Sequence, residues 1–434
     1  YVSHTHKDHF DSVFLKELSD RNKKLWVILP KYSNSSLSDE LMKVGFNRFI
    51  VEKHTDGDTT MVTYPAETID REREDSSLVV NEDFTFLNFN DSTIEFSHKE
   101  DIIQKFGSVE MAAGQFSGAN WWPICYENYS KSELEQMCID YRKRKSSKYI
   151  EIMNYLDIDK MIHTSGPPCF LEEGLVHQNW DSIFFDSWEV PEFDDYENIY
   201  RVMPGDRFDY ENVIDRKERP FSKKDFINSR VYKTDDNIAS QEWEESKSKF
   251  LNWMDDILSN ANWLRRYISH KIYISVDGYQ IFYLNFKQKK VEVFDEVEYR
   301  GSYYSIKIPA RIFYKLVMED YDDWEQAFLS SKLKFKRIPD RYNPWILSFF
   351  RNLSVEKLNS IYNSKQSKEK SKEKIQIGDY LVEKYCPHQQ YDLSQHGEVD
   401  LEKCEIQCLG HGWKWKLDTG KGINCNLDIE TKKV

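Results

Sequence analysis

The stretch "CPHQQYDLSQHGEVDLEKCEIQCLGHGWKW" (386–415) restricts what this chain can fold into more than any other. Cys386-Pro387-His388 is followed, after 19 residues, by Cys408-Leu409-Gly410-His411. Alternating "YLVEKYC" and "CEIQC", with frequent Gly, read as a small all-β module carrying the two pairs on two loops. Two thiolates on one iron and two neutral imidazoles on the other make a 2Fe–2S centre. Cys386 and Cys408 are then the ligands of the first iron, and His388 and His411 those of the second. The imidazoles remove negative charge from the cluster, which raises its potential. Two Cys and two His also suit tetrahedral zinc.

The surrounding residues distinguish the two metals. "CLGHGWKWKLDTG" (408–420) resembles the second half of the Rieske signature of oxygenases and their ferredoxins, including the HGW and the Asp-x-Gly turn. The module lacks the extra cysteines that flank the ligands in respiratory-complex Rieske proteins. The resemblance implies the oxygenase branch, which feeds electrons singly into oxygen chemistry. That branch usually holds a mononuclear iron on an Asp-x2-His-x4-His helix, and no plausible helix here carries the motif. The electrons must go elsewhere.

The other end of the chain offers a destination. "YVSHTHKDHFD" (1–11) places His4, His6, Asp8 and His9 within one short run. Imidazoles two apart on a loop can face one metal, and the following Asp and His can serve a second metal or support the first. The run resembles the ligand motif of the metallo-β-lactamase fold, and the downstream text resembles the branch containing ascorbate-6-phosphate lactonase and phospholipase-D-like hydrolases. That resemblance implies a third ligand in "YPAETIDRERED" (64–75), where Glu67 stands in place of His. It implies a carboxylate, Asp91, in "NFNDST" (88–93), and a last His, His163, in "MIHTSG" (161–166). Two His and one carboxylate form the facial triad of non-haem iron oxygenases. His4, His6 and Glu67 are therefore expected to bind Fe(II), with Asp8, His9, Asp91 and His163 completing or surrounding the site and Asp8 and Asp91 as catalytic groups. Zinc is the alternative metal. Asp70 or Glu74 could take the place of Glu67, and His54, His98 and His177 are further ligand candidates.

Composition excludes other classes. With 60 Lys+Arg against 74 Asp+Glu, the net charge of −14 disfavours nucleic-acid binding, which relies on neutralising phosphates. No apolar run approaches the length of about 18 residues that a membrane helix needs. Seven cysteines, an odd number, do not form a disulfide framework, and the cytoplasm is the expected compartment. The chain starts at Tyr1, so N-terminal strands are expected to be missing from it.

The expected architecture is α/β: a metallo-β-lactamase-like αββα sandwich over 1–235, an α+β middle domain over 236–362, a charged linker "NSKQSKEKSKEK" within 363–376, and a small all-β Rieske domain over 377–434. Strands are expected at 25–30, 48–53, 60–66, 77–80, 85–91 and 160–166, and helices at 35–45 and 131–156. The middle domain reads as a helix over 240–267, three strands, then helix, turn, helix and strand. That order resembles small sterol-carrier-like domains.

One family joins the two halves. "MAAGQFSGANWWPICYE" (111–127), "HTSGPPCFLEEGLVH" (163–177) and "YRVMPGDRFDYENV" (200–213) resemble segments of the CMP-N-acetylneuraminate hydroxylase family, which combines a Rieske domain with a metallo-β-lactamase-like domain. In the vertebrate enzyme the Rieske domain comes first, whereas here it comes last, and 236–362 has no counterpart. The resemblance implies a monooxygenase that hydroxylates or N-oxygenates a small organic substrate, such as an amide- or amine-bearing sugar or sugar nucleotide. Its partners would be molecular oxygen and an electron-donating reductase, ferredoxin or cytochrome, and a homodimer is an option. The rival is a zinc or dimetal hydrolase of lactonase or phosphoesterase type with a redox-regulatory Rieske module. The "GANWWPICYENY" stretch reads either as a wall of the substrate pocket or as plain packing.

Overall fold

Seven strands come together as the mixed sheet of the front unit. The computed structural model describes residues 1–434 except 6–8, 33–35, 66–75, 91, 93, 95, 118–119, 165, 181, 203–204, 209–212, 216–222, 367–372, 388–391 and 409–411. The described residues divide into two units, Tyr1–Ala119 with Glu135–Val231, and Asn120–Leu134 with Tyr232–Val434.

The front unit begins with α1 (Ser12–Arg21), capped by Asp11, whose carboxylate accepts from Val13 N and Phe14 N. β1 (Val27–Leu29), α2 (Ser36–Lys43) and β2 (Phe49–Val51) follow, with β1 and β2 paired in parallel. Next come β3 (Lys53–Asp56), β4 (Thr59–Pro65), β5 (Ser76–Asn81), β6 (Thr85–Asn90), α3 (Phe96–Phe106), β7 (Val109–Gln115), α4 (Lys131–Tyr155), β8 (Ile158–Thr164) and β9 (Ile199–Tyr200). The sheet order is β3-β4-β5-β6-β7-β8-β9, antiparallel up to β6 and parallel from β6 to β9. α4 starts at a capping box: Glu133 accepts from Ser130 N at 2.7 Å, and Ser130 Oγ accepts from Glu133 N at 3.4 Å. Tyr149, Ile152, Met153 and Leu156 close one sheet face over Leu87, Phe89, Ala112 and Met161. A short pair, β10 (Arg207–Phe208) and β11 (Val213–Asp215), and α5 (Lys223–Asn228) complete the unit.

α3 and β7 were not anticipated from the sequence. β7 reads "VEMAAGQ", with too little apolar bulk to register as a strand, because its neighbours supply the bulk. A β-carbon on Gly114 would lie 1.9 Å from Phe89 Cε2, so only glycine lets that ring cross the strand.

The second unit is built on a five-stranded sheet, β14-β13-β12-β15-β16. Its helix α6 (Ser240–Asn260) precedes β12 (Lys271–Val276), β13 (Ile281–Asn285) and β14 (Lys290–Phe294). β15 (Tyr303–Ile308), α7 (Ala310–Met318), α8 (Glu325–Leu329), β16 (Lys334–Ile338), α9 (Pro344–Arg351) and α10 (Val355–Gln366) follow. β15, α9 and α10 extend the expected pattern, and the helix expected over 240–267 ends at Asn260 in a 3-10 turn, Asn262–Arg266. Phe250, Phe282, Phe313, Trp324, Phe328, Phe335 and Phe349 fill the interior. Residues 120–130 run along β16: Glu127 N donates to Phe335 O at 2.7 Å and Phe335 N to Cys125 O at 2.8 Å. Trp121 is 8% exposed and edge-on to Phe328 at 5.3 Å, which makes it core packing.

The C-terminal module has two three-stranded sheets. β17 (Lys374–Ile377) and β18 (Tyr380–Glu383) pair with β22 (Thr431–Lys433), and β19 (Gly397–Asp400), β20 (Glu405–Cys408) and β21 (Lys414–Lys416) form the other, with α11 (Leu393–His396) leading into β19. The Asp-x-Gly turn is a requirement of this packing. Gly420 has φ +68°, and a β-carbon there would sit 1.9 Å from Ile429 O. Among the described residues no helix is long and apolar enough to cross a membrane.

Candidate metal centres

At the front, a hydroxyl orients two imidazoles. Ser3 Oγ lies 3.0 Å from His4 Nδ1 and 3.4 Å from His9 Nδ1, and the two rings are 4.3 Å apart at 36°. His4 is 1% exposed. The segment is tied to the start of β5. Ser76 Oγ and Tyr32 Oη both donate to Ser3 O, and Tyr1 Oη donates to Ser76 O at 2.9 Å. Asn90, left-handed at φ 49°, ends β6 and donates its amide to the same Ser76 O at 3.0 Å.

His163 belongs to the same edge of the sheet. Its partner in β7 is Gly114, whose partner in β6 is Asn90, the residue bonded to Ser76. By strand count it stands three spacings from Ser76, about 14 Å at main-chain level. Its ring packs 6.4 Å from Phe116, and its Nε2 is buried with no hydrogen-bond partner among the described residues. Burial pushes its pKa down to about 4, with Asp186 opposing and Arg201 reinforcing the shift. The imidazole is therefore neutral at pH 7, which is the metal-binding form.

His6, Asp8, Glu67 and Asp91 lie outside the described residues, as do Asp70 and Glu74. Among the described residues no group of three His, Cys, Asp or Glu side chains is gathered closely enough to hold a metal. The other ligand candidates are scattered: His54 lies on the edge strand β3, His98 in α3 beside the Tyr64 ring at 5.4 Å, and His177 in a 3-10 turn. Two hydroxyls escaped the sequence reading. Ser92 Oγ and Ser117 Oγ, each two residues past a strand end, are buried without partners among the described residues. Nothing in "NDS" or "QFS" announces them.

At the C-terminus, Cys386 and Cys408 are in no disulfide, and both lie at 0% exposure inside the module's own core. The Cys408 N–H donates to Trp413 O, and Gly412 N donates to the Cys408 carbonyl, both at 2.7 Å. His388 and His411 lie outside the described residues. Two buried, unbridged thiols, each followed within three positions by a His in the sequence, fit the ligand set of a 2Fe–2S cluster.

The family comparison agrees with this geometry, since residues 371–429 match the Rieske [2Fe-2S] domain. The C-terminal module is a Rieske domain. Residues 247–367 match the Rv3818-like, SCP2-like domain. The whole chain is 26% identical to a Mycolicibacterium smegmatis protein provisionally named a Rieske 2Fe-2S iron-sulfur protein, over 97% of this chain and 87% of that protein. A Mycobacterium tuberculosis protein of similar name is 25% identical over the same shares. Among solved structures, an isothiocyanate hydrolase from Delia radicum gut bacteria aligns at a TM-score of 0.30 and 11% identity, covering 46% of this chain and 72% of that one. The short form of human tRNase Z aligns at 0.24 and 10%, covering 38% and 70%. These matches support a Rieske domain, and they do not support sugar-nucleotide specificity.

Proposed function

We propose that this chain is an iron-dependent monooxygenase of metallo-β-lactamase-like design that hydroxylates or N-oxygenates a small organic substrate. The observation that carries the reading is the pair of buried cysteines, Cys386 and Cys408, in no disulfide, in a chain whose opposite end gathers His4 and His9 at a sheet edge. His388 and His411 would complete the cluster, and His4, His6 and Glu67 would hold the front iron. When bound, the cluster supplies single electrons and the iron supplies oxygen activation.

The chain's own residues supply geometry and proton control. Ser3 fixes the ring planes of His4 and His9 through their Nδ1 atoms, and Tyr32, Ser76 and Asn90 hold Ser3 in place. Such support preorganises a ligand set before metal arrives. His163, kept neutral by burial, presents an imidazole nitrogen without a competing proton. Its donor nitrogen also favours a second reading, a zinc or dimetal hydrolase, since nitrogen-rich sets suit zinc.

Metal analysis of anaerobically purified protein separates the readings. About three or more irons per chain support the oxygenase, and about two irons plus zinc support the hydrolase. Single-turnover oxygen consumption with candidate amides and amines then tests the reaction. Iron confined to the Rieske domain, with no oxygen uptake, would refute the proposal.

A further inference from the structure

The register of the five-stranded sheet gathers phenols on the face turned away from the domain's core. Tyr273 of β12 and Tyr283 of β13 are direct cross-strand partners, and Tyr283 in turn faces Glu292 of β14. Tyr303 of β15 pairs with Lys271, two residues before Tyr273, and so shares that face. Ile272, Ile274, Phe282, Leu284 and Ile306 alternate with these residues and fill the core behind the sheet. Tyr299, in the connection from β14 to β15, folds back onto the same face.

The four rings form one continuous array. Tyr273 stacks on Tyr283 at 5.0 Å and 27°, and Tyr299 stacks on Tyr303 at 5.0 Å and 24°. The two stacks meet edge to face, Tyr273 lying 5.0 Å from Tyr299 and 6.5 Å from Tyr303. Tyr273 and Tyr303 are buried, while Tyr283 and Tyr299 are half-buried. Burial, and after it the Glu292 carboxylate, raises the pKa of Tyr273; burial, Tyr273 and Glu292 raise that of Tyr283. Both phenols are therefore protonated at neutral pH, beside a carboxylate that can take a proton. Phe stacks equally well, as Phe282 and Phe313 do at 5.5 Å behind the sheet. What Tyr adds is a ring that yields an electron.

We propose that this array is a one-electron oxidation site of the SCP2-like domain, in which each stacked pair couples to dityrosine and so consumes stray oxidant. Two hydroxyl radicals, or two equivalents of another strong one-electron oxidant, take one electron and one proton from each phenol of a pair. With hydroxyl radicals two waters form; with a metal-complex oxidant the protons pass to Glu292 or to solvent. The two phenoxyl rings then join by one carbon–carbon bond ortho to the oxygens, and the displaced ring hydrogens move to those oxygens. The edge-to-face contact lets a radical formed in one stack reach the other. The oxygenase reading supplies one source of such oxidant and is not needed for the site.

The test exposes the intact protein, dilute enough to exclude coupling between molecules, to ruthenium(III) generated by light. Dityrosine fluorescence and the masses of the tryptic peptides are then read. Wild type is expected to fluoresce, to lose two hydrogens within peptide 272–287, and to join peptides 291–300 and 301–307. Fragmentation should place the bridges at Tyr273–Tyr283 and Tyr299–Tyr303. Tyr283→Phe keeps its stack and should delete the first bridge alone, and Tyr299→Phe should delete the second alone. The pair Tyr126 and Tyr304, hydroxyl to hydroxyl at 2.7 Å but edge-on at 6.4 Å, should stay unbridged. Oxidation spread over exposed tyrosines such as Tyr232 and Tyr321, with no bridge in the array, would show that the rings only pack and would overturn the proposal. Bridges that persist in both Phe variants would overturn it as well. Should a Phe variant fail to fold, the wild-type peptide map decides by itself. Because the oxidant is supplied from outside, a failure here leaves the oxygenase reading to the iron analysis.

Discussion

Gly114→Ala tests whether the front sheet is as tightly fitted at the end where Asn90, Gly114 and His163 align as the geometry implies. A β-carbon at this position falls 1.9 Å from Phe89 Cε2 and 2.3 Å from both Cδ2 and Cζ. The ring has little room to turn away, being 3% exposed and edge-on to Tyr149 at 5.8 Å. Nor can β7 retreat, since it is hydrogen-bonded to β6 on one side and β8 on the other. Overpacking a core costs about 1–3 kcal/mol, and a clash with three ring atoms belongs near about 3 kcal/mol. In a unit of about 150–250 residues that lowers the melting temperature by about 6–12 °C. Calorimetry or circular dichroism on the front unit's transition reads the shift. Phe89→Leu in the same background removes the ring and should recover much of the loss, a coupling of at least about 1 kcal/mol in a double-mutant cycle. Because Gly114 pairs with both Asn90 and His163, front-site metal affinity should fall in the single variant and return in the double. A single variant that melts within about 1 °C of wild type, or strict additivity in the cycle, would refute the argument.

Three further outcomes are expected. Glu67→Ala should reduce iron from about three to about two per chain and stop oxygen-dependent product formation, with the Rieske EPR signal intact; full retention of iron and activity would remove Glu67 from the site. Cys408→Ser should abolish the rhombic EPR signal averaging below the free-electron g value, and a variant that keeps this signal rules Cys408 out as a ligand. His270, buried with neither ring nitrogen hydrogen-bonded among the described residues, has its pKa lowered by burial and by Arg337 and Arg341. The unfolded chain takes up its proton near pH about 6.5 while the folded one resists, so stability is complete above that pH and falls as pH drops toward the folded pKa. In denaturant titrations between pH 7.5 and 5, the wild type should therefore lose stability relative to His270→Phe as pH falls below about 6.5, and parallel curves would show that His270 does not titrate in this window.

Legibility from sequence followed where the free energy of each element resides. β1, β4, β5, β6, β8 and α4 carry their own apolar pattern, and "SKSE" at 130–133 announces the start of α4 through its capping box. β7 carries no such pattern, because Phe89 of the neighbouring strand occupies the space that a side chain of Gly114 would fill. "MAAGQFSGANWWPICYE" reads as one continuous segment, yet its first part is β7 of the front unit and its latter part flanks β16 in the second. No local periodicity encodes that division, since the two parts are separated by their long-range partners. At the sites, residue types were readable and supports were not. Cys386, Cys408, His4, His9 and His163 stand out by chemistry and spacing, whereas Ser3, Asn90 and Asn424 act through hydrogen bonds that no residue pattern signals, Asn90 and Asn424 reaching partners ten or more residues away.

The excursion at 120–130, a turn-rich segment bridged to β16 at Tyr126 and Phe335, bears on how such a protein can be taken apart and recombined. Its partner strand β16 is synthesised some two hundred residues later, so until the excursion pairs, the nascent sheet presents an unpaired backbone edge. A fragment beginning after residue 235 would carry that bare edge permanently and would lack Trp121, Cys125 and Tyr126 from its core. Such edges invite pairing with other chains. The SCP2-like and Rieske domains therefore do not form a cassette that can be moved between genes by a single cut, and inheritance of the second unit carries a piece of the front half's sequence with it.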